Sequence, residues 1–423
     1  MEVLRVKKYL VILILLVMLL TPVLAEKLVL WTAPNMYQEQ FWKAILEEWK
    51  GVHPEIEIEW KTIPASGSSE EAILTAIVTG QAPDLCTNIF SGFAAQLIEA
   101  DQLVPLSDFS DFDQLLAARR MEEAVKGWEF SGKSYVFPIY SNPMLFWWRK
   151  DMLAEAGFDT PPRTYSEVYE LAEKICKPKE VYVVEYLKGK NWWDRWYDFI
   201  TLYYAASNGH PYIDTKKNKA VFNDEAGTAV VEYGQKLFDN GWTSMDMMDN
   251  PLYTGRLAGQ LMGPWEIPSA ENLFPEIFPS EIILAYPPVP DSYPEDQAIK
   301  TFADTKGMVM FKDSRHKEAA WEFMKWVYSD PKHDELWFDI TGLPPVRADL
   351  TTNELFQPIL EANPMMKAYA EAVPNSVPPA LISKTTEVQD VMTTDLTEPI
   401  YLVDMPADQI INNAIKKINR ELF

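Results

Sequence analysis

Three strand-like stretches alternate with two amphipathic ones at the start of the chain, and that alternation constrains the fold more than any other feature. Residues 27–31 read as a strand buried on both faces. Residues 55–60 alternate Ile56, Ile58 and Trp60 with glutamates, and 84–90 carry a third strand and the loop beyond it. Between them, Trp42, Ile45, Leu46 and Trp49 recur at helical spacing along 37–50, which Gly51 and Pro54 stop. A second helix over 68–79 turns Ile73, Ala76 and Ile77 inward and closes at Gly80. Strands and helices in this rhythm form right-handed βαβ units on a parallel sheet. Ligands of such sheets bind beyond the carboxyl ends of the strands. That rule points to residues 31–36 and 87–93, both rich in small, polar and aromatic side chains, although ordinary turn chemistry yields the same composition.

The stretch ahead of the first strand has the pattern of an export signal. Arg5, Lys7 and Lys8 precede an apolar run from Tyr9 to Leu20, Thr21 and Pro22 break it, and Val23-Leu-Ala25 offers small or short residues to a peptidase. Cleavage is expected after Ala25. The alternative is an uncleaved anchor, for which the run is short, since a span needs about 20 residues. The formal charge of -24 over 423 residues argues against nucleic acid and anionic membranes as partners and disfavours an anionic ligand.

Further along, 136–148 is extended around an Asn142-Pro143 turn, as a chain passing between lobes would be. Thr164-Tyr-Ser-Glu167 has capping-box spacing ahead of a helix, and residues 307–311, 316–328 and 406–422 read as a strand and two helices. Residues 191–208 crowd seven rings into one helix-like segment, more than a single face holds, so some must meet solvent or a ligand. The four histidines show no zinc-binding spacing, and there is no Gly-x-Ser-x-Gly elbow, phosphate loop or dinucleotide fingerprint, so no metal or cofactor is expected. With 62 acidic residues, a pair of glycosidase carboxylates stays open. Gly263-Pro-Trp265 is the most informative stretch. A strand end fixed by Gly-Pro presents an indole, either to the core or to the apolar face of a sugar ring, whose C–H groups pack on aromatic faces.

Markers along nearly the whole chain after residue 26 come in a familiar order. They are Leu28-Val-Leu-Trp31, His53-Pro-Glu-Ile-Glu-Ile58, Thr79-Gly-Gln-Ala-Pro-Asp84, Leu103-Val-Pro-Leu-Ser-Asp108, Arg149 to Gly157 with Pro161 to Glu167, Gly263-Pro-Trp265, Glu318 to Phe323 and Thr341 to Arg347. Together they resemble the extracellular solute-binding proteins of ABC importers, of the maltose-binding type. The resemblance implies an α/β, two-lobed periplasmic binding protein fold (type II-like) with an interlobe cleft and hinge crossovers. The first lobe would hold 26–138 and 300–330, the second 139–299 and 331–423. Cys86 and Cys176 would then lie in opposite lobes as free thiols, because a bridge would lock the hinge.

The resemblance also implies a ligand-binding set: Trp265 as a stacking ring, Asn35 after the first strand, Asn88 and Ser91 past the Pro-Asp turn, Tyr140 and Asn142 in the first crossover, and Trp192 or Trp193 in the ring-bearing segment. Maltose-type proteins offer another tryptophan near residues 384–390. This sequence has none there, so maltodextrin specificity does not carry over. The expected function is capture of a sugar by a monomer that delivers it to a membrane permease. An exported carbohydrate-active enzyme, or the same fold binding a peptide, polyamine or glycerol phosphate, are the alternatives.

Overall fold

The computed structural model describes residues 26–64, 68–186 and 199–423. The signal segment, Trp192 and Trp193 lie outside the described residues.

The first βαβ units form as their periodicity dictates. Strand Glu26–Thr32 pairs in parallel with Ile56–Thr62 on one side and with Leu85–Ile89 on the other. Helix Met36–Val52 covers one face through Phe41, Trp42, Ile45 and Trp49. Helix Ser69–Val78 starts from a complete capping box at Ser68 and Glu71. The sheet then gains a long strand, Thr301–Met310, antiparallel to Leu85–Ile89, and with it Val136–Pro143 and the short Ser376–Val377. Met308 and Met310 enter the core on one side of this sheet and Val309 the core on the other, the two-residue alternation of a strand buried on both faces.

A second sheet has the order Ile282–Ala285, Leu145–Arg149, Leu257–Met262, Tyr182–Val184. Strand Leu145–Arg149 sends Leu145 and Trp147 to one core and Phe146 and Trp148 to the other, and all four are buried. The described part of the ring-rich segment, helix Phe199–Ala206, buries Tyr203 and Tyr204 in the core of this half. Both cysteines are free; burial pushes the Cys176 thiol up to about 12 and the fully buried Cys86 higher still.

Helix Pro331–Thr341, assigned by sequence to the second lobe, packs into two cores. Its Trp337 meets Phe41 edge-on at 5.1 Å in the core of the first sheet, while the adjacent Phe338 enters a core beside the second. Neighbouring residues on a helix point about 100° apart, so one helix serves both.

Candidate functional site

The first strand leads into Asn35, whose exposed side chain caps helix Met36–Val52. Its Oδ1 accepts from the backbone N–H groups of Tyr37 and Gln38, both at 3.1 Å. Gln38 in turn bonds the Tyr140 hydroxyl. Tyr140 is a core residue, stacked on Trp337 at 5.3 Å, and burial raises its pKa, helped by the nearby charge of Asp304. The third strand carries Asn88 at φ 64°, a left-handed conformation that asparagine tolerates better than most residues. Helix Ser91–Glu99 begins just beyond, and Ser91 Oγ is buried with no hydrogen-bond partner among the described residues.

These residues meet a two-stranded ribbon formed by the first two crossovers. Its register pairs Asp304 with Asn142, Thr305 with Ser141 and Lys306 with Tyr140, and then skips Ile139 to pair Gly307 with Pro138. Such a bulge re-aims side chains and is common beside functional sites. Opposed residues share a face, so Tyr140, Asn142, Asp304 and Lys306 lie together on one side of the ribbon. Asp304 and Lys306 pair at 2.9 Å, and the Lys306 ammonium stands 5.4 Å from the centre of the Phe90 ring. Asn142 is buried, and its Oδ1 has no partner among the described residues.

Trp265 follows a strand of the second sheet. Strand Leu257–Met262 ends where the Tyr369 hydroxyl donates to the Met262 carbonyl at 2.9 Å. Gly263 follows with the indole lying across it, so that any Cβ there would come within 2.1 Å of the Trp265 ring. Pro264 then fixes the turn Pro264–Glu266, which packs against strand Val136–Pro143. Among the described residues Trp265 is the exposed tryptophan, at 39 % of its surface, whereas Trp42, Trp49, Trp128, Trp147, Trp148 and Trp337 are fully buried. Next to it, Glu266 accepts from the Tyr253 hydroxyl at 3.3 Å, and burial raises its carboxyl pKa.

Of the sequence-derived set, Asn88, Ser91, Asn142 and Trp265 stand at strand ends or on the crossover ribbon. Asn35 serves as a helix cap and Tyr140 as a core wall. Phe90 falls within the 87–93 stretch singled out by sequence, whereas Asp304, Lys306 and Gln38 lie outside the sequence-derived set. The signal for two of them was present: polar residues two apart, Asp304 and Lys306, ahead of an apolar strand that was read as starting only at Gly307.

Two α/β lobes, with polar and aromatic side chains on the crossover ribbon and strand ends, define a two-lobed solute-binding protein. The chain belongs to the bacterial extracellular solute-binding protein family, whose sequence pattern matches residues 33–333. An uncharacterized protein of Listeria monocytogenes EGD-e is 34% identical, with a TM-score of 0.89 over 94% of this chain and 100% of that one. The maltotriose-binding protein of Pyrococcus abyssi is 24% identical over 358 residues, 82% of this chain and 71% of its own. The cyclic alpha-maltosyl-1,6-maltose binding protein of Arthrobacter globiformis shares the fold at 18% identity, with a TM-score of 0.79 over 94% and 98% of the two chains.

Proposed function

We propose that the chain is the extracytoplasmic substrate-binding subunit of an ABC importer, capturing a sugar or oligosaccharide between its lobes and delivering it to a membrane permease. The observation that carries this reading is the exposed Trp265, whose turn packs on the strand that holds the buried Asn142, its Oδ1 without a hydrogen-bond partner among the described residues. An aromatic face beside fixed polar groups suits a pyranose, apolar across its C–H face and polar at its rim. Names of relatives favour the same class: besides the maltotriose-binding protein, a Bacillus subtilis relative 20% identical over 374 residues is an arabinooligosaccharide-binding protein.

In this reading residues 1–25 direct export and are removed. The lobes are 26–138 with 300–330 and 139–299 with the remainder, helix Pro331–Thr341 lying at their boundary. They close as a hinge about the crossovers, the motion known for periplasmic binding proteins. The protein works as a monomer and performs no chemistry. Asn35, Asn88 and Ser91 approach the ligand from the first lobe, Tyr140 and Asn142 from the crossover, and Trp265 with Trp192 or Trp193 from the second.

A thermal-shift screen of residues 26–423 against mono- and oligosaccharides tests it. A ligand at 100 times its Kd adds about 2.7 kcal/mol of stability, a visible rise in Tm. A hit recovered intact after overnight incubation is the expected result. Silence across all sugars with a hit from peptides or polyamines would sink the sugar reading, and a cleaved oligosaccharide would sink the binding-only reading.

A further inference from the structure

The turn that presents Trp265 is held from behind by a residue far from it in sequence. Strand Leu257–Met262 pairs with Tyr182–Val184 only as far as Gly259, so among the described residues its end is paired along one side, by Leu145–Arg149. The Met262 carbonyl is met instead by Tyr369, on helix Pro364–Ala372, whose hydroxyl donates to it at 2.9 Å. The same hydroxyl accepts from Trp147 Nε1 at 2.7 Å. An indole N–H only donates, so the hydroxyl must accept there, and its single proton is left for Met262. Accepting one bond polarises the hydroxyl and strengthens the bond it gives. Tyr369 is fully buried, and burial pushes its pKa well above the ordinary value, which keeps that proton in place through the physiological range. Phenylalanine would fill the same space; the hydroxyl adds these two bonds.

We infer that Tyr369 is a positioning residue for the Trp265 ring: its hydroxyl relays from Trp147 to the Met262 carbonyl and so sets the angle at which the indole meets a ligand. This rests on the sugar reading above and adds to it the device that orients the ring. Only Gly263 and Pro264 separate Met262 from Trp265. The Met262 carbonyl lies in the same rigid peptide plane as the Gly263 nitrogen, so a bond that fixes one fixes the other. Pro264 then locks its own φ, and the indole lies back across Gly263, where a Cβ would come within 2.1 Å of the ring. An exposed ring held this way has little freedom left to lose when a sugar stacks on it, and that preorganisation favours binding.

The test uses residues 26–423 labelled with 5-fluorotryptophan, the Trp265 fluorine signal being the one lost in Trp265→Phe. Tyr369→Phe keeps the ring and removes the hydroxyl. In the unliganded protein it should broaden or split the Trp265 signal. By calorimetry with oligosaccharides of glucose, arabinose, xylose, galactose and mannose, it should weaken the tightest by about fivefold, the size of one lost hydrogen bond. Trp147→Phe is the control for stability: it removes more of the same core but keeps the Tyr369–Met262 bond. It should lower the urea midpoint while the Trp265 signal stays single and affinity stays within about twofold of wild type, less than one hydrogen bond is worth. An unchanged Trp265 signal in Tyr369→Phe, or equal losses of affinity in the two variants, overturns the positioning role and leaves sugar capture standing. A wild type that binds none of the sugars overturns sugar capture alone, because the Trp265 signal is read without ligand.

Discussion

The two faces of the crossover ribbon differ although the same two strands make both. On the back, the Thr305 hydroxyl meets Ser141 Oγ at 3.2 Å, Ser141 meets Ser376 at 3.2 Å, and Ser376 donates to the Val373 carbonyl at 2.7 Å. Strands Val136–Pro143, Thr301–Met310 and Ser376–Val377 are thereby tied by hydroxyls that satisfy one another. Below them the fully buried Arg119 donates to the Pro138 and Ile139 carbonyls, each at 2.6 Å, and pairs with Asp334, which also holds Arg347 at 3.1 Å. On the front, Asn142 Oδ1 has no hydrogen-bond partner among the described residues and shares its face with the partly exposed Asp304–Lys306 pair. A cavity of about 400 Å³ opens on the back, lined in part by Ser141, Thr305 and Ser376, but these hydroxyls are already engaged. Space alone therefore does not mark a site here. The back should govern stability and the front affinity.

Arg119→Met would test the back hardest. Removing one partner of a buried ion network leaves charge uncompensated and costs about 3–5 kcal/mol. Urea unfolding should show that loss, while the fraction that stays folded at low temperature binds sugar as wild type does. An unchanged midpoint would break the division, because the clamp on Pro138 and Ile139 would then not be structural.

Trp265→Ala is the counterpart on the binding side. It should lower affinity by about 1–3 kcal/mol, the scale for burying one apolar side chain, with little change in Tm. Equal affinity by calorimetry removes the indole from the site. Gly263→Ala sharpens the point without touching the ring: its Cβ would overlap the indole, so binding should fall in the same direction, whereas a core tryptophan displaced this way would lower Tm instead. Thr305→Val is gentler, deleting one neutral hydroxyl bond on the back, about 1 kcal/mol of stability by denaturation with affinity retained.

The same contrast explains what was legible in the sequence. The βαβ start, the capping box at Thr164 and the turn before Trp265 follow from local periodicity and turn chemistry, and all are present. The family order of motifs carried the two-lobed fold. Asp304 and Lys306 were hidden because their meaning depends on a ladder partner some 160 residues away, and because polar residues interrupt the apolar run that announces a strand. Tyr140 was selected by position, but whether a crossover tyrosine faces ligand or core depends on Trp337 and Gln38, which no local pattern connects to it. The double role of helix Pro331–Thr341 was hidden for a related reason: its consecutive Trp337 and Phe338 serve two cores.

Glu266 lies where the two behaviours meet, one residue after the exposed ring. Burial raises its carboxyl pKa, against the opposing pull of the Tyr253 hydroxyl. A carboxyl that holds its proton to higher pH when folded favours the fold below its ordinary value, near 4.3, and that contribution is lost as pH rises through the raised value. Glu266→Gln has no proton to lose, so its Tm should match wild type at pH 4 and exceed it at pH 7. The gain should be no more than about 2 °C, since the carboxyl is only half-buried and 1 kcal/mol moves the Tm of a larger domain by about 2–4 °C. A Tm difference independent of pH would mean that burial does not set this titration. If affinity at pH 7 changes by more than stability does, Glu266 acts on the ligand rather than on the turn, and the binding face extends past Trp265 toward Tyr253.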